Sequence, residues 1–117
     1  MGGEGMRGRK KEYFVHEIPT SAVHVVTSIC ADYNRREAAI KHSAVTGAVL
    51  ARYVELNNAV DVALYDVEPG IRDLMLRDVA DGVGYNRSAV ACQLSKNAYY
   101  RRRRKLVYDI AVNLSLL

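Results

Sequence analysis

The chain has 117 residues, Lys+Arg 17 against Asp+Glu 13, a formal net charge of +4 and 50% hydrophobic residues. That balance is globular rather than disordered, and the length suits one domain or two small helical units sharing a core. It excludes a catalytic barrel or a doubly wound sheet with a second domain, and no stretch approaches the roughly 18 uninterrupted apolar residues of a membrane span.

The opening stretch MGGEGMRGRKKEYF is basic but has no apolar run behind it, so it does not read as a secretory signal. A cytoplasmic protein with no membrane partner is expected. Residues 1–15 read as a flexible basic arm, and Tyr13–Ile18 as a short extended segment ended by Pro19. Thr20 or Ser21 then offers a helix N-cap. Val23, Val26, Cys30 and Tyr33 follow at three- and four-residue steps, which is one helix face. The run Asn34-Arg35-Arg36-Glu37 either continues that helix or ends it. Arg35 and Arg36 read as a solvated face, with a second phosphate patch as the sharper alternative.

Gly47 marks a break. Val49, Tyr53, Leu56, Val60, Leu64 and Val67 then share one face of a helix expected over about Thr46–Asp66. Pro69 sits where a helix needs no donor, Ile71, Leu74, Met75 and Val79 form the next apolar stripe, and Gly82 and Gly84 end it. Asp61, Asp66, Glu68, Asp73 and Asp78 read as surface charges, some answered by Arg72 and Arg77. The expected fold class is all-α, with about five helices.

Cys30 and Cys92 are too far apart for a short-spaced metal site, and His16, His24 and His42 are scattered. There is no nucleophile–base pair, Gly-rich phosphate loop or carboxylate–His cluster, so no catalysis, cofactor or metal is expected.

The informative stretch follows Gly84. Asn86–Cys92 reads as a short helix, Gln93-Leu94 as a turn, and Ser95 as the cap of a helix from Lys96 onward, which is the spacing of a helix-turn-helix. Ala89 supplies the small residue at the helix crossing, Cys92 and Leu94 the apolar residues about the turn, and Tyr99 the inner face. Gln93 stands where Gly is common, and Arg102 where many such motifs place an apolar residue. Charge concentrates here: residues 96–117 carry +5, against −3 for residues 16–95 and +2 for residues 1–15. A local positive field on an acidic body points to a polyanion.

Wound at about 100° per residue, this helix gathers Tyr99, Leu106, Val107, Ile110 and Leu114 on one side. Arg103 falls among them, its stem expected inward and its guanidinium in solvent. Asn97, Arg101 and Arg104 take the opposite side, flanked by Tyr100 and Lys105. Arg can pair with guanine and Asn with adenine in the major groove, so Asn97 and Arg101, with Tyr100 and Arg104, are the candidate base readers; Lys96, Arg102, Arg87 and Lys105 are the candidate phosphate contacts.

Val67-Glu68-Pro69 with Ile71-Arg72, then Gly82 to Tyr85, then Ser95-Lys96-Asn97-Ala98-Tyr99-Tyr100-Arg101-Arg102-Arg103 resemble the region-4-type helix-turn-helix of sigma-70-like factors. More specifically, they resemble the ArpU/RinA-type phage transcriptional regulators of Gram-positive bacteria. Tyr53-Val54-Glu55-Leu56 to Ala63-Leu64 fits the helix such proteins place ahead of that unit. The resemblance covers about the C-terminal half. It implies a sequence-specific regulator of phage or prophage origin whose last helix binds double-stranded promoter DNA, with RNA polymerase as a further partner. The expected organisation is the arm at 1–15, a helical pair within 16–67 open to homodimerisation, and a DNA-binding unit at 68–117. The rival readings are an RNA-binding protein, or an adaptor whose basic helix docks an acidic protein.

Overall fold

The computed structural model describes residues 17–87 and 94–117, and these are all-helical. Five α-helices lie among them: α1 Thr20–Ala31, α2 Tyr33–Lys41, α3 Gly47–Leu64, α4 Arg72–Asp81 and α5 Lys96–Asn113, with a 3-10 turn at Pro69–Ile71 leading into α4. The expected helix at Asn86–Cys92 and its residues Ala89, Cys92 and Gln93 fall largely outside the described residues, as do Tyr13–His16.

The boundaries follow local chemistry. A turn at Asp32 divides α1 from α2, which resolves the ambiguity at Asn34–Glu37 in favour of a second helix. Thr46 is extended ahead of α3, and Gly47 enters it at φ 59°, a conformation that favours glycine. Gly82 ends α4 at φ 69°, its N–H donating to the Asp78 carbonyl at 2.7 Å.

α1 packs along α4, α2 along α3, and α5 against α1, α3 and α4. The buried cluster takes Val26, Ile29 and Cys30 from α1, Val60 and Ala63 from α3, Val67 and Ile71 from the connection, Met75 and Val79 from α4, and Tyr99, Leu106, Val107, Ile110 and Ala111 from α5. One core therefore spans the expected boundary at Val67, and the inner face of α1 is spent inside the chain. The face predicted for α3 is buried only at its C-terminal end: Val60 is fully covered while Val49 is 49% exposed, because the first turns of α3 overhang the core.

Two buried polar knots hold these helices in register. Arg36, expected on a solvated face, is only 3% exposed. Its Nε donates to Asn57 Oδ1 at 2.6 Å and its Nη2 to the Ile29 carbonyl, while Asn57 Nδ2 donates to the Tyr33 carbonyl and to Glu37. This ties the α1–α2 corner to the middle of α3. Tyr33 adds a hydrogen bond from its hydroxyl to Asp61 Oδ1 at 2.5 Å; burial and the facing carboxylate raise its pKa, so the phenol stays neutral.

The second knot is Asp78, expected at the surface but 2% exposed. Its Oδ2 accepts from the Tyr99 hydroxyl at 2.7 Å, its Oδ1 from the Gly84 N–H at 3.1 Å, and Arg103 Nε lies 3.3 Å from Oδ1. Arg103 thus keeps its stem inward, but its guanidinium turns to a buried carboxylate rather than escaping to solvent. Cys30 is buried among apolar neighbours, which pushes its thiol up to about 12 and leaves it neutral.

Asp78→Ala removes the acceptor for three donors and leaves Arg103 beside an apolar void. It is expected to cost about 3–5 kcal/mol, against about 1–2 for Tyr99→Phe. Urea unfolding of both single variants and the double variant checks this: the two losses should be strongly non-additive, because they share one hydrogen bond.

Candidate nucleic-acid interface

The site is the N-terminal half of α5 and the corner that launches it. Ser95 is extended and its Oγ accepts from the Ala98 N–H at 3.2 Å, an N-cap that starts the helix at Lys96. Tyr85 sets the direction. Its hydroxyl donates to the Leu94 carbonyl at 3.1 Å, its N–H donates to the Tyr100 hydroxyl at 2.9 Å, and its ring meets Tyr99 edge-on with centroids 5.3 Å apart. Tyr99 and Tyr100 meet at 5.2 Å, also edge-on. Gly84, at φ 86°, lets the chain turn beneath this stack.

Tyr99, Leu106, Val107 and Ile110 are buried as predicted, and Leu114 is half-buried. On the other side, Lys96, Asn97, Tyr100, Arg101 and Arg104 are exposed. Asn97, Arg101 and Arg104 fall within about 60° of one another around the helix axis. With Tyr100 and Arg103 they line a shallow groove that runs to Ile18, just ahead of α1, to Val23 on α1 and down to Val107. Arg87 is exposed as well.

Two expected phosphate contacts stand differently. Arg102 Nε donates to both Glu68 oxygens at 3.2 Å and its Nη2 to Oε2 at 2.9 Å. Lys105 Nζ lies 2.9 Å from Asp66 Oδ2 and 2.6 Å from Asp109 Oδ2, and its side chain is only 18% exposed. These cations answer carboxylates of their own chain because α5 crosses the acidic link between α3 and α4. Arg102 also explains the missing apolar residue of the motif: at that position the helix meets Glu68 rather than a core. Tyr100 is exposed, yet its hydroxyl already accepts from Tyr85, so it braces the corner as well as facing outward.

Arg72, expected to answer acidic neighbours, donates to the Val67 and Tyr65 carbonyls at 2.9 and 3.2 Å and so closes the end of α3. His24 and His42 are exposed, and no group of His, Cys, Asp and Glu among the described residues is placed to hold a metal ion. No described helix is long and apolar enough to cross a membrane. No protein-family model matches the sequence, and no curated protein or solved structure matches it.

The Arg102 guanidinium holds the Glu68 carboxyl below its ordinary value near 4.5. A carboxyl with a lowered folded-state pKa stabilises the fold above its unfolded pKa and loses that contribution as pH falls through the lowered one. Glu68→Gln should therefore be less stable than the parent at pH 7 and converge with it in acid below about pH 4. Urea midpoints across that range check the convergence. The pair is half-exposed, so the gap at neutral pH is expected to stay near or below about 1 kcal/mol.

Proposed function

We propose that the protein is a sequence-specific DNA-binding transcriptional regulator that presents the N-terminal half of α5 to the major groove. The observation that carries this reading is the grouping of Asn97, Arg101 and Arg104 on one exposed face of a helix whose start is fixed by the Ser95 cap and the Tyr85 hydroxyl. An amide and two guanidiniums on a rigid rod have the donors that adenine and guanine edges accept. Lys96 and Arg87, both exposed, flank the turn in sequence and suit the phosphates beside a groove. Arg102 and Lys105 keep a supporting part, holding α5 against the acidic link. A phage or prophage origin, and a contact with RNA polymerase, rest on the resemblance of Ser95–Arg103 to the region-4-type unit.

The reading expects log Kd for a bound duplex to rise with log salt by several units, one for roughly each phosphate neutralised. Arg87→Ala or Lys96→Ala should lower that slope by about one. Arg101→Ala should instead cost about 1–3 kcal/mol on the selected site and little on unrelated duplexes. Selection of genomic fragments followed by titration of the enriched site measures all three. An equal loss on every duplex would remove Arg101 from base reading. Weak binding to every duplex at low salt would favour the acidic-protein adaptor, and tighter binding to single-stranded RNA would favour the RNA reading.

A further inference from the structure

The face of α3 turned away from the core is unusually apolar. Gly47, Ala48, Ala51, Val54, Asn58, Val62 and Tyr65, at the helix end, are all exposed and recur at three- and four-residue steps. Val62 is 58% exposed and Tyr65 74%. Only Arg52 and Glu55 are exposed charged residues of this helix, joined by an ion pair of 2.9 Å.

We propose that this face is the interface of a homodimer in which two copies of α3 pair antiparallel about a two-fold axis at Val54. The occupant follows from the helix itself. Its first half offers small residues, Gly47, Ala48 and Ala51; its second half offers larger ones, Asn58, Val62 and Tyr65. Antiparallel pairing about Val54 sets small against larger residues: Val54 meets its own counterpart, Ala51 falls one position from the partner's Asn58, and Gly47 one position from the partner's Val62. A parallel pair would set large on large and small on small.

The charges give the same answer. Arg52 and Glu55 lie about 60° apart, on the same flank of the stripe. In an antiparallel pair like flanks face each other, so each Arg52 comes opposite the partner's Glu55 and the two ion pairs merge into a four-charge ring. Nucleic acid is a poor occupant, since the single exposed cation is already paired. Two helices of this length make an interface at the small end, under about 1,200 Å² in total, so the dimer is a weak and reversible one. This inference does not rest on DNA binding and is tested without DNA.

Sedimentation equilibrium of the full chain should show monomer passing to dimer as concentration rises from about 1 µM towards 1 mM, the range of a small interface. Val54→Glu, which sets two carboxylates on the axis, should weaken the dimer by at least about tenfold while the circular dichroism of the chain is unchanged. Arg52→Glu or Glu55→Arg alone should weaken it, and the two together should restore it. In a Cys92→Ser background, Val54→Cys should oxidise to a self-linked dimer. Asn58→Cys should link to an Ala51→Cys chain in preference to its own copy. A chain that stays monomeric throughout, a dimer indifferent to Val54→Glu, or preferential self-linking of Asn58→Cys would each overturn the proposal.

Discussion

A buried carboxylate with three donors around it governs the geometry of this protein. Asp78 projects from α4 into the space between α4, the glycine turn and α5, and it holds the Tyr99 hydroxyl, the Gly84 N–H and the Arg103 guanidinium. An unpaired carboxylate there would be strongly destabilising, so each donor is required rather than optional. The consequence is directional. Tyr99 fixes how α5 is rotated about its axis, Gly84 fixes where the chain leaves α4, and Arg103 keeps the cationic run from turning inward. Burial and the facing carboxylate raise the Tyr99 pKa, so the hydroxyl keeps the proton it donates. What α5 shows to solvent follows from what it must bury.

The core and the corner are coupled through the same aromatic group. Tyr99 is fully buried and contacts Tyr85 and Tyr100, and Tyr85 reaches across to the Leu94 carbonyl. A helix that reads a groove needs its first turn held in a fixed place, because misplaced donors lose their partners. Here that turn is held by a capping hydroxyl from Ser95 and by a phenol from outside the helix. The Arg36–Asn57 knot does the same where α2 meets α3, Arg36 donating to neutral acceptors and Asn57 to the Glu37 carboxylate as well as to the Tyr33 carbonyl.

Much of this was legible from residue order. The apolar spacing of Val26 and Cys30, of Ile71, Met75 and Val79, and of Tyr99, Leu106, Val107 and Ile110 marks faces that the core does bury. Ser95 and Gly82 signal helix ends that form where expected. Periodicity failed where a polar side chain is buried, because a carboxylate or guanidinium carries no sign of its partner in the local sequence. Asp78 is satisfied from Tyr99 and Gly84, and Arg36 from Asn57, a polar residue set among apolar neighbours on α3 that was the one available hint. It also failed at Val49, whose position on the predicted face is right but whose turn projects past the core.

Much of the cationic run is engaged with carboxylates of its own chain. Arg102 sits on Glu68, Arg103 on Asp78, and Lys105 between Asp66 and Asp109. These pairs anchor the middle of α5 to α4 and to the link before it, so half of the run serves folding. Lys96, Arg101 and Arg104 are exposed on α5, and Lys96 lies in its first turn, where the helix dipole disfavours a cation. Nothing in local helix energetics selects that arrangement. An anion at that turn would reverse its sign, since the dipole and Lys96 would then act together on it. The placement of the exposed cations, more than their number, is therefore what sets this helix apart from an ordinary solvated one.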